Sequence, residues 1–316
     1  MNKVLIPQDI SQEAKDYLID KGYDVQVGPG FDIETLKAEV KDADALIVRT
    51  AEYPKEVIKA AEKLQIIARH GVGVDNIDLD QAKKQNIWVT VAKGANATSV
   101  AEHTITLILA AAKRVIESDF ACRQDHFVTR NQIGGIELRG KTLGILGLGA
   151  IGQKVAEIAN KGLGMKIIAS DIVKPQNCDF DFDWSDSIDE VLKQADVLTI
   201  HTPLTDETRN LINKESLKNM KDGVIIINCA RGGIVNEDDL YDALKSGKVY
   251  SAGLDVFGLE PPSKDNKLFE LNNVILTPHI AALTKEAGVA MAMSCALAVD
   301  DVLSDRKPKF PIVVPE

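Results

Sequence analysis

KTLGILGLGAIG, running from Lys141 to Gly152, is a short apolar stretch that breaks into Gly147, Gly149 and Gly152. The next apolar run, MKIIASD, ends at Asp171, 19 residues beyond the last of these glycines. Strand, tight turn and helix in that order, with an acid at that distance, form a seat for a pyrophosphate and its ribose. Gly147 makes the turn, Gly149 lets backbone approach the phosphates, and Gly152 lets the helix pack close to the strand. Unpaired N–H groups and the positive dipole end at the helix start face the anion. An acid at 171 accepts hydrogen bonds from ribose hydroxyls and repels a 2′-phosphate, so the spacing predicts NAD in preference to NADP.

Around this unit, strand-like and helix-like runs alternate. KVLI (3–6) precedes a helical stretch from Ser11 to Lys21, which Gly22 ends; YDVQV, ALIVR (45–49), LQIIA (64–68) and IWVTV (87–91) follow. Such alternation, with β-branched strands, predicts parallel sheets covered on both faces. SVAEHTITLILAAAKRVIES, from Ser99, reads as one long helix opened by a Ser99–Glu102 capping box. Val100, His103, Thr104, Leu107, Ile108, Ala111 and Val115 fall on its broad face. The rhythm resumes with MKIIASD, DVLTIH (196–201), GVIIIN (223–228), SAGLDV (251–256) and NVILTPH (273–279). Ser187 and Glu190 make a second capping box, Asn236 starts a helix that Gly247 stops, and an Ala- and Met-rich helix follows Thr284 to about Leu303. The fold expected is α/β: two doubly wound parallel-sheet domains, Rossmann- or flavodoxin-like, with a crevice between them. Residues 1–98 with 285–316 form one and 99–284 the other, and a ligand is expected at the junction.

The 316 residues are 45% hydrophobic and 27% charged, which suits two soluble domains. A net charge of −10 argues against nucleic acid or an anionic membrane as partner, so an anionic substrate needs locally placed arginines. Cys122, Cys178, Cys229 and Cys295 are scattered with no CxxC pair; reduced thiols, a cytoplasmic location and no metal are expected. No signal peptide is read, and the longest apolar run, near Ile105–Ala112, is too short for a bilayer.

Three segments end in polar residues suited to chemistry. GVIIIN leads into NCARGGIV, SAGLDV into FGLEPP, and NVIL into TPHIAA, placing Arg231, Glu260 and His279 just past strand ends, where open α/β sheets bind ligands. A guanidinium fork binds a carboxylate and polarises a carbonyl. An imidazole exchanges a proton near neutral pH, and a carboxylate on its other nitrogen orients it. Together they suit hydride transfer at a 2-hydroxy or 2-keto acid, with the dinucleotide as hydride carrier. Taken singly, each also reads as an ordinary loop residue, solvated or bonded to backbone.

GLGAIG with Asp171, HTPLTDET (201–208), NCARGGIV, DVFGLEP (255–261) and LTPHIAA resemble the D-isomer-specific 2-hydroxyacid dehydrogenase family, as do ARHGVGVDNID (68–78) and TSVAEHT (98–104). The likeness covers essentially the whole chain. It implies that Arg231 binds substrate, His279 is the acid/base and Glu260 its partner. It also implies that Ala150 and Ile151 offer backbone to the pyrophosphate, that Thr202, Pro203, Cys229 and Asp255 line the cofactor, and that Gly71, Val72 and Gly73 hold the substrate carboxylate. A homodimer through the cofactor domains is implied as well. The first half is most similar to the D-3-phosphoglycerate dehydrogenase branch, in which Arg49 and Arg69 match arginines near the substrate phosphate. His70 and Val72 depart from that branch, where a small residue and Thr are usual, and both arginines also read as surface charges at strand ends. The chain ends at Glu316 without the regulatory domain many such enzymes carry, so serine feedback through one is not expected. Reduction of hydroxypyruvate, glyoxylate or another short D-2-hydroxy acid is the alternative. Formate dehydrogenases resemble this pattern but carry Gln in place of Glu260. Related NAD-sensing corepressors, which are not enzymes, can retain the Arg/Glu/His set but carry extensions not seen here.

Overall fold

The computed structural model describes residues 1–28, 30–124, 126–127 and 131–315. The chain divides into two compact units, Met1–Asn96 with Leu283–Glu316, and Ala97–Ala282. Elements are numbered along the chain.

The first unit alternates β1 (Lys3–Ile6), α1 (Gln12–Asp20), β2 (Asp24–Val27), α2 (Ile33–Glu39), β3 (Ala45–Val48), α3 (Lys55–Ala60), β4 (Ile66–Arg69), α4 (Leu79–Lys84) and β5 (Trp88–Val91). The returning segment adds α11 (Lys285–Leu303) and β13 (Pro311–Val313). Strand order is β13-β5-β4-β3-β1-β2. Every residue of β3, ALIV, is buried, as a strand covered on both faces must be. Leu46, Val48 and Ile67 pack on one face, and Ala45, Ile47 and Ile66 on the other against Cys295, Ala296 and Val299 of α11. The small side chains of α11 let it lie close to the sheet. Thr284 caps it, its side chain accepting the Ala287 N–H at 3.1 Å. β13 pairs antiparallel with β5 at the edge of an otherwise parallel sheet. Pro311 has no N–H to give a ladder and is tolerated because β13 is an edge strand.

The second unit opens with α5 (Ala97–Lys113) and α6 (Val115–Arg123). It continues through β6 (Thr142–Leu146), α7 (Ala150–Glu157), β7 (Lys166–Ser170), β8 (Asp183–Trp184), α8 (Ile188–Gln194), β9 (Val197–Ile200), α9 (Lys214–Asn219), β10 (Val224–Asn228), α10 (Glu237–Ser246), β11 (Val249–Leu254) and β12 (Val274–Leu276). The order is β12-β11-β10-β9-β6-β7-β8, with every pairing parallel. The winding reverses between β6 and β9, the switch point at which such sheets seat ligands.

Local signals were realised unevenly. Asn236 caps α10 through the Asp239 N–H, and Gly247 closes it at φ 80°. The Ser99–Glu102 capping box does not form: α5 begins at Ala97, and Ser99 is buried within it. Packing of Ala97, Val100 and Ala101 against the core carries the helix past the polar signal. The single long helix expected there is also broken, because Arg114 adopts a left-handed conformation at φ 53° between α5 and α6. The Ser187–Glu190 box fails too: the Ser187 side chain makes no cap bond, and its N–H donates to Ser185 Oγ instead.

Candidate active site

The glycine motif folds as a close-packed turn. Gly147 has φ 93°, and a Cβ there would lie 2.7 Å from the His201 carbonyl carbon. A Cβ on Gly152 would stand 2.1 Å from the Gly147 oxygen. Turn, helix α7 and the end of β9 therefore meet backbone to backbone, which only glycine permits. Gly149 differs: no protein atom lies within 4 Å of its Cβ position. It is the N-cap of α7 with no side-chain cap, so the first N–H groups of the helix face open space. Ala150 is exposed there, and Ile151 packs on the core. Asp171, at the end of β7, accepts Leu148 N–H through Oδ2 and Ile172 N–H through Oδ1, each at 2.7 Å. It thus braces the turn as well as bordering it.

At the end of β9, Thr202 Oγ1 is sealed from solvent with no hydrogen-bond partner, an orphan hydroxyl beside the turn. Pro203 is exposed, its carbonyl accepting from Thr208 Oγ1. His201 Nε2 pairs with Thr199 Oγ1 at 3.0 Å, and burial pushes its pKa down to about 3, so the ring is neutral. An uncapped helix start, open space at Gly149, a carboxylate at Asp171 and an orphan hydroxyl fit a dinucleotide, whose phosphates would lie against the 148–151 backbone.

The ends of β11 and β12 gather the polar residues. His279 Nδ1 lies 2.8 Å from Glu260 Oε2, while Glu260 Oε1 accepts Phe257 N–H at 3.0 Å. His279 is in the left-handed region at φ 54°, uncommon for a residue with a side chain. Its N–H donates to the carbonyls of Asp255 and Thr277. Asp255 is fully buried and spends its carboxylate on the same loop, accepting Thr277 Oγ1 at 2.6 Å, Ile280 N–H at 2.9 Å and Ala281 N–H at 2.8 Å. Burial acts to raise its pKa, but these donors and His103 outweigh it, and the carboxyl falls below its usual range. Arg231 follows β10; its Nη1 donates to the Ala230 carbonyl, and its own carbonyl accepts from Asn228. The next residue, Gly232, lies hard against the Phe257 backbone, so the Arg231 loop adjoins the segment that anchors Glu260. Cys229 lies buried beneath, and burial pushes its thiol up to about 12, which leaves it inert. His103 and Thr277, which the sequence did not mark for chemistry, complete this cluster. The available signal was an ionisable side chain on the apolar face of α5.

The first unit holds the remaining expected residues. Arg49 Nη1 donates to the Asp9 carbonyl at 2.7 Å and borders a pocket of about 320 Å³, with His70, Lys285, Ser11 and Gly288. His70 Nε2 donates to the Gly288 carbonyl at 3.2 Å; burial foremost, then Arg49, lowers its pKa. Arg69 turns back on its own loop: Nη1 donates to the His70 carbonyl, and a Cβ on Gly71 would lie 2.7 Å from that nitrogen. Gly71 is buried, Val72 exposed and Gly73 half-buried. Among the described residues no cluster of His, Cys, Asp or Glu could hold a metal, and no helix is long and apolar enough to cross a membrane.

Comparison with known proteins converges on one group. Residues 105–281 match the model of the D-isomer specific 2-hydroxyacid dehydrogenase NAD binding domain. D-3-phosphoglycerate dehydrogenase of Archaeoglobus fulgidus is 46% identical over 93% of the chain, which spans 56% of that protein's length. Hydroxypyruvate reductase of Thermotoga maritima is 42% identical over 90% of the chain and 93% of its own. The crystal structure of the TT0316 protein from Thermus thermophilus superposes with a TM-score of 0.91 at 35% identity, covering 98% of this chain and 100% of that one.

Proposed function

The chain belongs to the D-isomer specific 2-hydroxyacid dehydrogenase family, and within it we propose an NAD-linked enzyme interconverting a D-2-hydroxy acid and its 2-keto acid. The observation that carries this is the His279–Glu260 pair at 2.8 Å, built on the ends of adjacent strands of an NAD-binding domain.

Gly147, Gly149, Ala150, Ile151, Gly152, Asp171, Thr202 and Pro203 hold NAD(H), with Cys229 and Asp255 supporting that wall from beneath. The bound nicotinamide supplies or accepts the hydride. Glu260 accepts a hydrogen bond from His279 Nδ1–H, which fixes the ring and leaves Nε2 to face the substrate oxygen. In reduction, protonated Nε2 gives its proton to the carbonyl oxygen, and Glu260 offsets the charge that the imidazolium carried. Arg231 binds the carboxylate and polarises the carbonyl, while Gly71, Val72 and Gly73 offer backbone N–H groups to the carboxylate.

For substrate, we favour a phosphorylated acid of the 3-phosphoglycerate type, with Arg49, which faces the 320 Å³ pocket, and Arg69 as phosphate ligands. One observation favours hydroxypyruvate or glyoxylate instead: Arg69 donates to the His70 carbonyl and lies against Gly71. We further propose a homodimer. No residue of α6 is buried, and its Val115, Ile116 and Phe120 are 50%, 55% and 65% exposed, an apolar face suited to a second copy. Four free cysteines suit the reducing cytoplasm.

The test is spectrophotometric: NADH with hydroxypyruvate, glyoxylate and pyruvate, and NAD with 3-phosphoglycerate, for the native protein and His279→Ala. Turnover is expected, with His279→Ala slower by about 10²–10⁴-fold at unchanged NADH affinity. NADH binding without turnover of any of them would make the protein a nucleotide sensor. An Arg49→Ala loss selective for the phosphorylated acid would support the first substrate; a uniform loss would point to folding or to a general carboxylate role.

A further inference from the structure

α5 approaches β11 closely because Gly253 has no side chain: a Cβ there would lie 3.0 Å from Leu107 Cβ. One turn before Leu107, on the same helix face, is His103; two residues after Gly253, just past the end of β11, is Asp255. The two side chains are thereby brought together. His103 Nε2 lies 3.1 Å from Thr277 Oγ1 and 3.5 Å from Asp255 Oδ1. Thr277 has one hydroxyl proton, and at 2.6 Å from a carboxylate oxygen that proton goes to Asp255. Thr277 Oγ1 must then accept from His103, so His103 carries its proton on Nε2. The result is a directed chain from α5 through Thr277 to Asp255.

Asp255 is the hub of the 277–281 loop. Its carboxylate takes Ile280 and Ala281 N–H, and its carbonyl takes the N–H of His279, whose backbone at φ 54° depends on such restraint. We infer that His103 is a positioning residue: as an Nε2–H donor on α5 it locks Thr277 and Asp255, and through them sets the ring of His279 against Glu260. In this role it acts through Thr277 and Asp255 alone. The inference rests on His279 being the acid/base.

Two measurements test it. In protein labelled with ¹⁵N-histidine, long-range proton–nitrogen spectra are expected to show His103 as the Nε2–H tautomer, and Thr277→Val to alter its signals; an Nδ1–H tautomer overturns the inference without any assay. In NADH-dependent reduction of hydroxypyruvate, His103→Leu is expected to lower kcat by about 30-fold, a misplacement effect, with NADH affinity unchanged within about twofold. His103→Gln, which keeps a donor at the same reach, is expected to recover kcat to within about threefold of native. His103→Leu with Thr277→Val should be no slower than Thr277→Val alone, because both cut one chain. Equal losses in the Leu and Gln variants, multiplying losses in the double variant, or native kcat in His103→Leu overturn it. Should His103→Leu fail to fold, the Gln variant, Thr277→Val and the tautomer decide. His279→Ala run alongside keeps the questions apart: native turnover there removes the acid/base assignment, whereas loss there with native kcat in His103→Leu removes only the role of His103.

Discussion

A Cβ placed on Gly232 would fall 1.7 Å from the carbonyl oxygen of Phe257, so these two residues meet backbone against backbone. The contact docks the Arg231 loop on the strand end that holds Glu260, with no side chain between them. Gly232→Ala must push the loops apart. We expect kcat/KM for the keto acid to fall about 100-fold while NADH affinity stays within about twofold, because a displacement near 1 Å is enough for such a loss. Native kinetics in this variant would mean that the Arg231 loop need not sit on Phe257.

Glu260→Gln removes the charge and one of two acceptors while keeping the shape of the side chain. A glutamine oxygen can still accept from His279 Nδ1, and the 2.8 Å contact can survive. What is lost is the negative charge that favours the protonated ring, together with the oxygen that accepts Phe257 N–H. The variant is expected to lose about 10–100-fold in kcat, less than His279→Ala, with KM for NADH unchanged. A loss as large as that of His279→Ala would assign Glu260 a proton-transfer step of its own.

The glycines of the dinucleotide turn make opposite predictions. Gly149→Ala meets no protein atom within 4 Å, so melting temperature should hold within about 2 °C while NADH binding weakens at least about tenfold. Gly152→Ala drives a methyl to 2.1 Å from the Gly147 oxygen and should lower both stability and NADH affinity. Scanning calorimetry with fluorescence titration distinguishes the pair; undiminished NADH affinity in Gly149→Ala would move the phosphates away from this turn.

Much of this was legible along the chain, because each half of the glycine motif is local. Gly147, Gly149, Gly152 and Asp171 fall within one βαβ unit, and the caps at Asn236 and Thr284 are single-residue signals that the fold realised. The strand ends carrying Arg231, Glu260 and His279 could be read from hydrophobic runs alone. The signals that failed were overruled by packing. Ser99 has capping chemistry, yet helix α5 buries it within its own length. Arg114 breaks that helix without a glycine or proline to announce it. β8, a two-residue strand, and β13, a proline-led one, are too short to show a period. The link from His103 to Thr277 joins residues 174 apart in sequence, and only the missing side chain at Gly253 brings their elements close enough.

Asp171 has two duties, and substitution should reveal both. Asp171→Ala leaves Leu148 N–H without its 2.7 Å acceptor, which costs about 1–3 kcal/mol if that group stays unpaired. Affinity for NADH should therefore fall, while the ratio of NADPH to NADH affinity rises because the repelling charge is gone. Unchanged discrimination between the two nucleotides would remove Asp171 from ribose recognition.

His201 gives a pH signature. Its folded pKa of about 3 lies below the ordinary 6.5, so the unfolded chain binds a proton that the folded chain refuses. Stability contributed by this group is present above pH 6.5 and is lost as pH falls toward 3, at about 1.4 kcal/mol per pH unit within that window. Urea unfolding at pH 7 and pH 5 should show about 2 kcal/mol of loss from this source, absent in His201→Gln. Equal pH sensitivity in both proteins would refute it.

Two positions, Asp255 and Phe257, tether both partners of the imidazole–carboxylate couple: the first through its carbonyl and carboxylate, the second through its amide. Motion of the exposed turn at 262–265 therefore leaves the couple intact, since neither partner is anchored there. Engineers could lengthen, shorten or replace that turn, while the proton-handling pair stays held by the ends of β11 and β12.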